Sequence, residues 1–444
     1  MKKMSIILTV CLCVVMFAAC DNDGDKGKSP SVKNNDSINI VEVEKRALLS
    51  PYSEDFGGET YLTARAVAGG ANDFAFRLGA ALLKDSDDKN FVCSPYSVWL
   101  PLAALVNATD DENKAALTTA LGASGIAPAY INKASSRMLF SLTNMENNAS
   151  KGYYNPLKIA NAIFVSKNVT LRKDFAQTFM DFYRGSSINV DFSSKDAADA
   201  VNRWASDNTE GLIKNLIKEF DPQTVSAIAN AIYFSDRWSW EFDSAETKED
   251  VFHAKDGDSR AFYMRREGSG QSYYEDEKIQ AMPLRFRHSG DMYIILPKDG
   301  DAAVLLSSMT NEDFKNIQRG FKPAEGKLLL PRFTIENDLG NLKAALVSLG
   351  VPLFEGAPLT GLIEEMPVLL SRAIQRALIR VEEKGTTAAA VTVMDGVGAA
   401  GPPHERPPNI PFEMICDRPF VFILCEYTFD GGDQILFTGV VNKP

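Results

Sequence analysis

Glu382-Glu383-Lys384-Gly385-Thr386-Thr387-Ala388-Ala389-Ala390-Val391-Thr392-Val393-Met394-Asp395-Gly396-Val397-Gly398-Ala399-Ala400-Gly401-Pro402-Pro403 stands near the end of a 444-residue chain, where a compact domain ordinarily closes its core. Its first half is small and β-tolerant, its middle is glycine-rich, and its end runs into prolines. The composition therefore suits a loop and a strand at once, and the reading of this segment decides the fold.

Outward from it, the chain has the make-up of a globular protein, with 45% hydrophobic and 24% charged residues. The formal charge of −11 and the lack of a long Lys/Arg cluster exclude a nucleic-acid face. Lys2 and Lys3 precede an apolar run from Ile6 to Phe17, short for a bilayer span but the size of a signal-peptide core. The run ends in Phe17-Ala18-Ala19-Cys20, which resembles a bacterial lipobox, with Phe where Leu is usual; a plain secretory signal is the alternative. The resemblance implies a lipid on Cys20 and a place in the cell envelope. Asp21, Asp23 and Asp25 resemble a surface-export signature on the outer membrane, while another sorting code reads Asp21 as inner-membrane retention.

Residues 1–19 are thus expected as a leader, 20–60 as a polar tether, and 61–444 as one α+β domain without internal repeats. Removal of the leader and lipid on Cys20 leave Cys93, Cys416 and Cys425, each in apolar surroundings and expected as a buried free thiol. Helices are expected from about 66 to the turn at Lys84, from Pro95, over Leu171–Tyr183, Ala197–Asn208 and Leu342–Leu349. Strands are expected at Asn90–Cys93, Ile159–Val165, Val190–Phe192, Thr224–Phe234, Met292–Leu296 and Lys327–Phe333.

Gly396-Val397-Gly398-Ala399-Ala400-Gly401 matches a dinucleotide-binding pattern, but Pro402-Pro403 prevents the helix that would carry the pyrophosphate. His253, His288 and His404 have no nucleophile signature nearby and read as surface residues, so no catalytic residue is assigned. No spacing suggests a metal site, and no cofactor is expected. Trp238-Ser239-Trp240-Glu241-Phe242 reads as aromatic packing.

Several motifs then occur in a common order: Asn90 to Ser97, Asn161 to Phe164, Thr209-Glu210-Gly211-Leu212-Ile213, and Asn230-Ala231-Ile232-Tyr233-Phe234 with Trp238 and Phe242 behind it. Leu330-Pro331-Arg332-Phe333, Glu382-Glu383-Lys384-Gly385-Thr386, Arg418-Pro419-Phe420-Val421-Phe422 and Gly439-Val440-Val441 complete the series. From about residue 66 to its end the chain resembles the serpin family of serine protease inhibitors. The resemblance implies three β-sheets, about eight or nine helices and an exposed reactive-centre loop over about 382–411. It also implies a monomer that is no enzyme. A protease cleaves the loop, the hinge enters the large sheet as a new strand, and the acyl-enzyme is carried to the far pole and trapped.

The resemblance assigns the hinge to Glu382, Glu383, Gly385, Thr386, Thr387, Ala388, Ala389 and Ala390. Family spacing from Gly385 puts the reactive bond at Ala399-Ala400, which suits an elastase-like serine protease; a cysteine protease is an alternative target. Val397, Met394 and Arg406 are the other candidate sites, because the chain from the cut to Pro419 is longer than family habit. A non-inhibitory binding protein or mere protease substrate is the rival role. Ser94, Ser97 and Asn230 match the shutter region, but Gln375 stands where the family usually has histidine; its amide is expected to bond Asn230. In an inserted strand Thr386, Ala388, Ala390, Thr392 and Met394 turn inward, all small or apolar. About fifteen residues from Gly385 reach roughly 50 Å, against a globule diameter of about 55 Å.

Thr386→Arg is expected to convert inhibitor into substrate, because a charge would have to enter the buried face of the sheet. Gel analysis of a protease titration checks this; undiminished covalent complex in the variant would count against loop insertion.

Overall fold

The structure, a computed structural model, describes residues 8–19, 58–84, 89–143, 156–288, 290–340, 342–385, 408–428 and 432–444. The chain opens with β1 (Leu8–Ala19), α1 (Gly58–Leu83), β2 (Phe91–Cys93), α2 (Pro95–Leu105), α3 (Asp111–Ala120) and α4 (Pro128–Thr143). It continues through β3 (Leu157–Ser166), α5 (Lys173–Tyr183), β4 (Gly185–Val190), α6 (Lys195–Asn208), β5 (Thr224–Phe234), β6 (Lys248–Ala254), β7 (Gly257–Glu275), β8 (Ile279–Arg285) and β9 (Asp291–Pro297). Then follow α7 (Ala302–Ser308), α8 (Asn311–Gly320), β10 (Lys322–Pro331), β11 (Phe333–Leu339), α9 (Lys343–Ser348), β12 (Val368–Val381), β13 (Ile410–Ile415), β14 (Phe420–Tyr427) and β15 (Asp433–Val441).

These elements build the expected α+β fold, with nine α-helices among the described residues and three sheets. The main sheet runs β11-β12-β1-β5-β3-β4. A second sheet runs from the end of β7 through β8-β9-β14-β15-β2. The start of β7 pairs with β6 and β10, and β10 with β13, to form the third. β7 shifts its register against β10 around Gly268 and Gly270, whose φ values are 124° and 81°, and passes to the second sheet after Tyr273.

Local chemistry sets the helix boundaries. Thr310 and Asp313 form a reciprocal capping box at α8, and the Asp110 side chain accepts from Asn113 N–H at α3. α2 follows Pro95 at its first turn and is apolar all round, with every residue buried. It lies in the main core, between the inner face of the main sheet and the second sheet. The other face of the main sheet packs Ala162, Phe164, Ala229 and Ile374 against Ala198 and Val201 of α6 and against Ile217. α7 and α8 cover the far face of the second sheet, where Leu306, Phe314 and Ile317 meet Ile295 and Ile423. Cys93, Cys416 and Cys425 are free and buried, as expected, and burial pushes the Cys93 thiol up to about 12.

Three sequence expectations change. α1 begins before the expected start at about 66, and the extended piece near Val190 is the end of β4 rather than its beginning. Lys327–Phe333 is two strands, broken at Arg332, whose side chain turns to Glu383. Residues 8–19, which lie within the segment 1–19 expected as a leader with its apolar core at Ile6 to Phe17, form β1 of the main sheet. β1 is antiparallel to β12 from Leu8↔Arg380 to Ala19↔Val368 and antiparallel to β5 from Thr9↔Phe234 to Ala18↔Thr224. An uncharged run rich in β-branched residues and cysteine meets the needs of a central strand as well as those of a leader.

A strand paired along both edges contributes much of its sheet's stability. A chain beginning at residue 20 is expected to unfold roughly 10 °C or more below the full chain, a difference of several kcal/mol at this size. Thermal circular dichroism of both forms tests this, and equal midpoints would remove β1 from the folded protein.

Candidate functional site: sheet centre and hinge

Four strands align one row of residues across the middle of the main sheet. Asn161 on β3 lies opposite Asn230 on β5, Cys13 on β1 lies opposite both Asn230 and Gln375, and Gln375 on β12 lies opposite Leu339. The start of α2 packs against this row. Asn230 and Gln375 have no exposure, nor do Ser94 and Ser97 at that helix start. Ser97 Oγ donates to Asn230 Oδ1, Asn230 Nδ2 donates to Asn161 Oδ1 at 2.8 Å, and Asn161 Nδ2 to the Tyr183 carbonyl at 2.6 Å. Tyr183 Oη then donates to Asn132 Oδ1 at 2.8 Å, which carries the chain of bonds from the sheet to α4. Such buried amides are tolerated because each finds partners of the right kind.

The structure thus brings together the four residues assigned from the family's shutter, with one correction. Gln375 does not bond Asn230. Its Oε1 accepts from Ser94 N–H at 3.0 Å and its Nε2 donates to the Ser94 carbonyl at 2.9 Å. The reason is β1: one interposed strand sets Asn230 and Gln375 about two strand spacings, or roughly 9–10 Å, apart.

The hinge lies at the top of this gap. The Trp238 indole donates to the Glu382 carbonyl at 3.0 Å, Phe242 N–H to the Glu383 carbonyl at 2.9 Å, and Trp238 N–H to the Lys384 carbonyl at 3.3 Å. Trp238 itself is buried, stacked on Phe286 with centroids 4.7 Å apart. Gly385 bridges Arg237 in antiparallel fashion with φ 76°, and a Cβ there would stand 2.5 Å from Arg237 Cα. Only glycine fits so close an approach in that conformation.

The Glu383 carboxylate is 2% exposed and takes Arg332 Nε at 2.7 Å and Thr247 Oγ1 at 2.6 Å on one oxygen. Burial works to raise its carboxyl, but the bonds from Arg332 and Thr247 outweigh burial and hold it below the usual carboxylate range. In the sequence reading Arg332 stood only within the Leu330–Phe333 motif, with no partner assigned, and Thr247 had no role. Their one signal was a charged residue between two apolar strand segments, where a buried acid had to be answered. His288 is exposed, as expected, and its Nδ1 sits 2.6 Å from Asp236 Oδ1, beside the Gly385 bridge.

Of the residues assigned to the hinge, Glu382, Glu383 and Gly385 thus follow β12 and are held by Trp238, Phe242 and Arg237. Thr386, Thr387, Ala388, Ala389, Ala390, Ala399 and Ala400 lie outside the described residues, as do Met394, Val397, Arg406, the glycine pattern and Cys20. Trp238 and Phe242 are packing residues as expected, but Trp240 is 42% exposed.

The family model for serpins, serine protease inhibitors, matches residues 69–444. The chain belongs to the serpin family. Among similar proteins, alpha-1-antiproteinase of Rattus norvegicus is 28% identical over 390 residues, covering 86% of this chain and 90% of its own. Antichymotrypsin-2 of Bombyx mori is 29% identical, covering 84% and 97%, and a serpin-like protein of Methanosarcina mazei is 26% identical, covering 100% and 99%. Among solved structures, native tengpin, a thermophilic serpin, superposes with a TM-score of 0.72 at 23% identity over 91% of this chain and 99% of its own. Human thyroxine-binding globulin gives 0.70 at 24% over 86% and 99%. Serpins as a family are protease inhibitors, not enzymes.

A carboxyl held below its unfolded value of about 4.3 contributes stability that is present above that value and lost as pH falls through the folded value. Glu383→Gln should remove this contribution, so its melting temperature should change less between pH 6 and pH 3 than the parent's. Parallel curves of melting temperature against pH would show that the Arg332–Glu383 pair does not anchor the hinge in solution.

Proposed function

We propose that this serpin is a suicide-substrate inhibitor of elastase-like serine proteases, made with a leader over residues 1–19 and anchored to the bacterial envelope by lipid on Cys20. The observation that carries the reading is the register at the hinge. Gly385 stands opposite Arg237, and three residues further along β5 Thr9 stands opposite Phe234. A strand continuing from Gly385 would therefore put 388 on the place of Thr9, 387 on that of Leu8, and 398 on that of Ala19. The twelve positions of β1 take the segment 387–398, and Ala399 is the first residue beyond them. A scissile bond at Ala399-Ala400 thus matches the reach of the sheet.

Orientation supports the same reading. Thr392 falls on the place of Cys13, directly between Asn230 and Gln375, whose side chains point to α2. Directly opposite residues share a face, so Thr392 belongs to the inward set and brings a hydroxyl to a polar row. Val391 and Val393 fall on the face packed by α6, where apolar side chains are wanted.

The occupied sheet favours a second reading for one form of the protein. While residues 8–19 hold the place between β5 and β12, the loop has nowhere to go, and the full chain should be cleaved as a plain substrate. In this reading leader removal opens the position for the loop, and the inhibitor is a monomer beyond its tether.

Mixing elastase with chains beginning at residue 1 and at residue 20 separates these readings. The shorter chain should give a denaturant-resistant complex and, after denaturation, a C-terminal peptide starting at Ala400. Cleavage of the shorter chain with elastase left fully active would defeat the inhibitor reading. A peptide starting elsewhere would move the reactive bond.

A further inference from the structure

A cavity of about 300 Å³ lies where β7 turns between the second and third sheets, lined among others by Trp240, Arg266, Gln271, Met282, Arg285 and Asp291. Its polar groups are unusual for a packed junction. Arg266 is 8% exposed, and no carboxylate among the described residues forms an ion pair with it. Its Nη2 donates to the Trp240 carbonyl, its guanidinium carbon lies 4.3 Å from the Phe242 ring centroid and 5.4 Å from that of Trp240, and its Nε meets no protein acceptor. Aromatic faces offset only part of the desolvation of a buried cation. Burial pulls its guanidinium down to about 10, still charged at neutral pH.

Two buried acceptors share the cavity. The Gln271 amide is fixed by Nε2, which donates to the carbonyls of Gly268 at 2.9 Å and Gly326 at 3.2 Å, and this leaves its Oε1 buried with no donor among the described residues. Asp291 takes Tyr427 Oη on Oδ2, while Oδ1 has only Arg285 Nε at 3.5 Å, beyond a good hydrogen bond. Both residues are more than nine-tenths buried. Arg266 Nε and Gln271 Oε1, without partners among the described residues, and Asp291 Oδ1, held only by the long contact to Arg285, therefore line a cavity that also offers Met282 and the half-open Trp240 indole.

We propose that this cavity is a binding site for a small zwitterion of amino-acid size. Its carboxylate pairs with Arg266, its ammonium donates to Gln271 Oε1 and Asp291 Oδ1, and an apolar side group lies against Trp240 and Met282. The arrangement has the usual plan of a small-molecule site, a few convergent polar groups in a partly apolar pocket. It is separate from the hinge bonds and does not depend on the loop being cleaved.

Calorimetric titration of the full chain with three probes tests the site. L-phenylalanine should bind, 3-phenylpropionate should bind at least tenfold more weakly for want of an ammonium, and phenethylamine, lacking the carboxylate, should not bind. Arg266→Met should abolish L-phenylalanine binding. Trp240→Ala, at an exposed position that folding does not require, should weaken it at least fivefold and guards against misfolding of the first variant. No heat with L-phenylalanine at millimolar concentration, equal binding of all three probes, or unchanged affinity in Trp240→Ala would each overturn the proposal.

Discussion

Everything in this molecule is arranged around one interstrand position, the place between β5 and β12. Both edges facing it present backbone N–H and C=O groups deep in the protein, and unpaired buried backbone groups are costly. Either a third strand fills the position or the two edges close on each other. In the structure β1 fills it, antiparallel to both neighbours. The direction matters as much as the occupancy. A chain that leaves β12 at Val381 and turns back through Gly385 also runs antiparallel to both, so the position accepts either segment with the same hydrogen-bond pattern.

The polar row beneath that position explains how the sheet tolerates both states. Asn161, Asn230 and Gln375 are amides, each with donor and acceptor capacity. With a strand interposed, Gln375 folds its amide onto the Ser94 main chain and Asn230 takes Asn161 and Ser97. Were the strand absent and the edges closed, Asn230 and Gln375 would stand on neighbouring strands. An amide also carries no proton switch near neutrality, unlike the histidine usual at this place in the family.

Much of this was legible in the sequence wherever a segment has one environment. Thr224–Phe234, apolar on both faces, is β5 to the residue, and Ile159–Val165 lies wholly within β3. β7 was not legible, because its Arg265-Arg266-Glu267-Gly268-Ser269-Gly270-Gln271 stretch is polar on faces that other sheets cover. α7 and α8 were missed because they are short and rest on a sheet from outside. Glu382 and Glu383 were assigned to a hinge by resemblance, but the residues that hold them were not legible: Arg332, Thr247 and Trp238 lie far from them in sequence and meet them only in the fold. The apolar run at residues 8–19 could be read as a leader. Its fit as a strand needed a partner sheet, which composition cannot display.

β13, β14 and β15 all follow the loop. β13 is a parallel edge on β10, but β14 lies between β9 and β15, and β15 between β14 and β2. A cut before residue 400 therefore divides the covalent chain without dividing the core. The product is a two-chain protein whose smaller member supplies interior strands of the second sheet, so its ends can travel apart while its buried surface stays in place. With a cut there, the prolines ahead of β13 would belong to that smaller member and would lengthen the side of the break that stays with β13, β14 and β15.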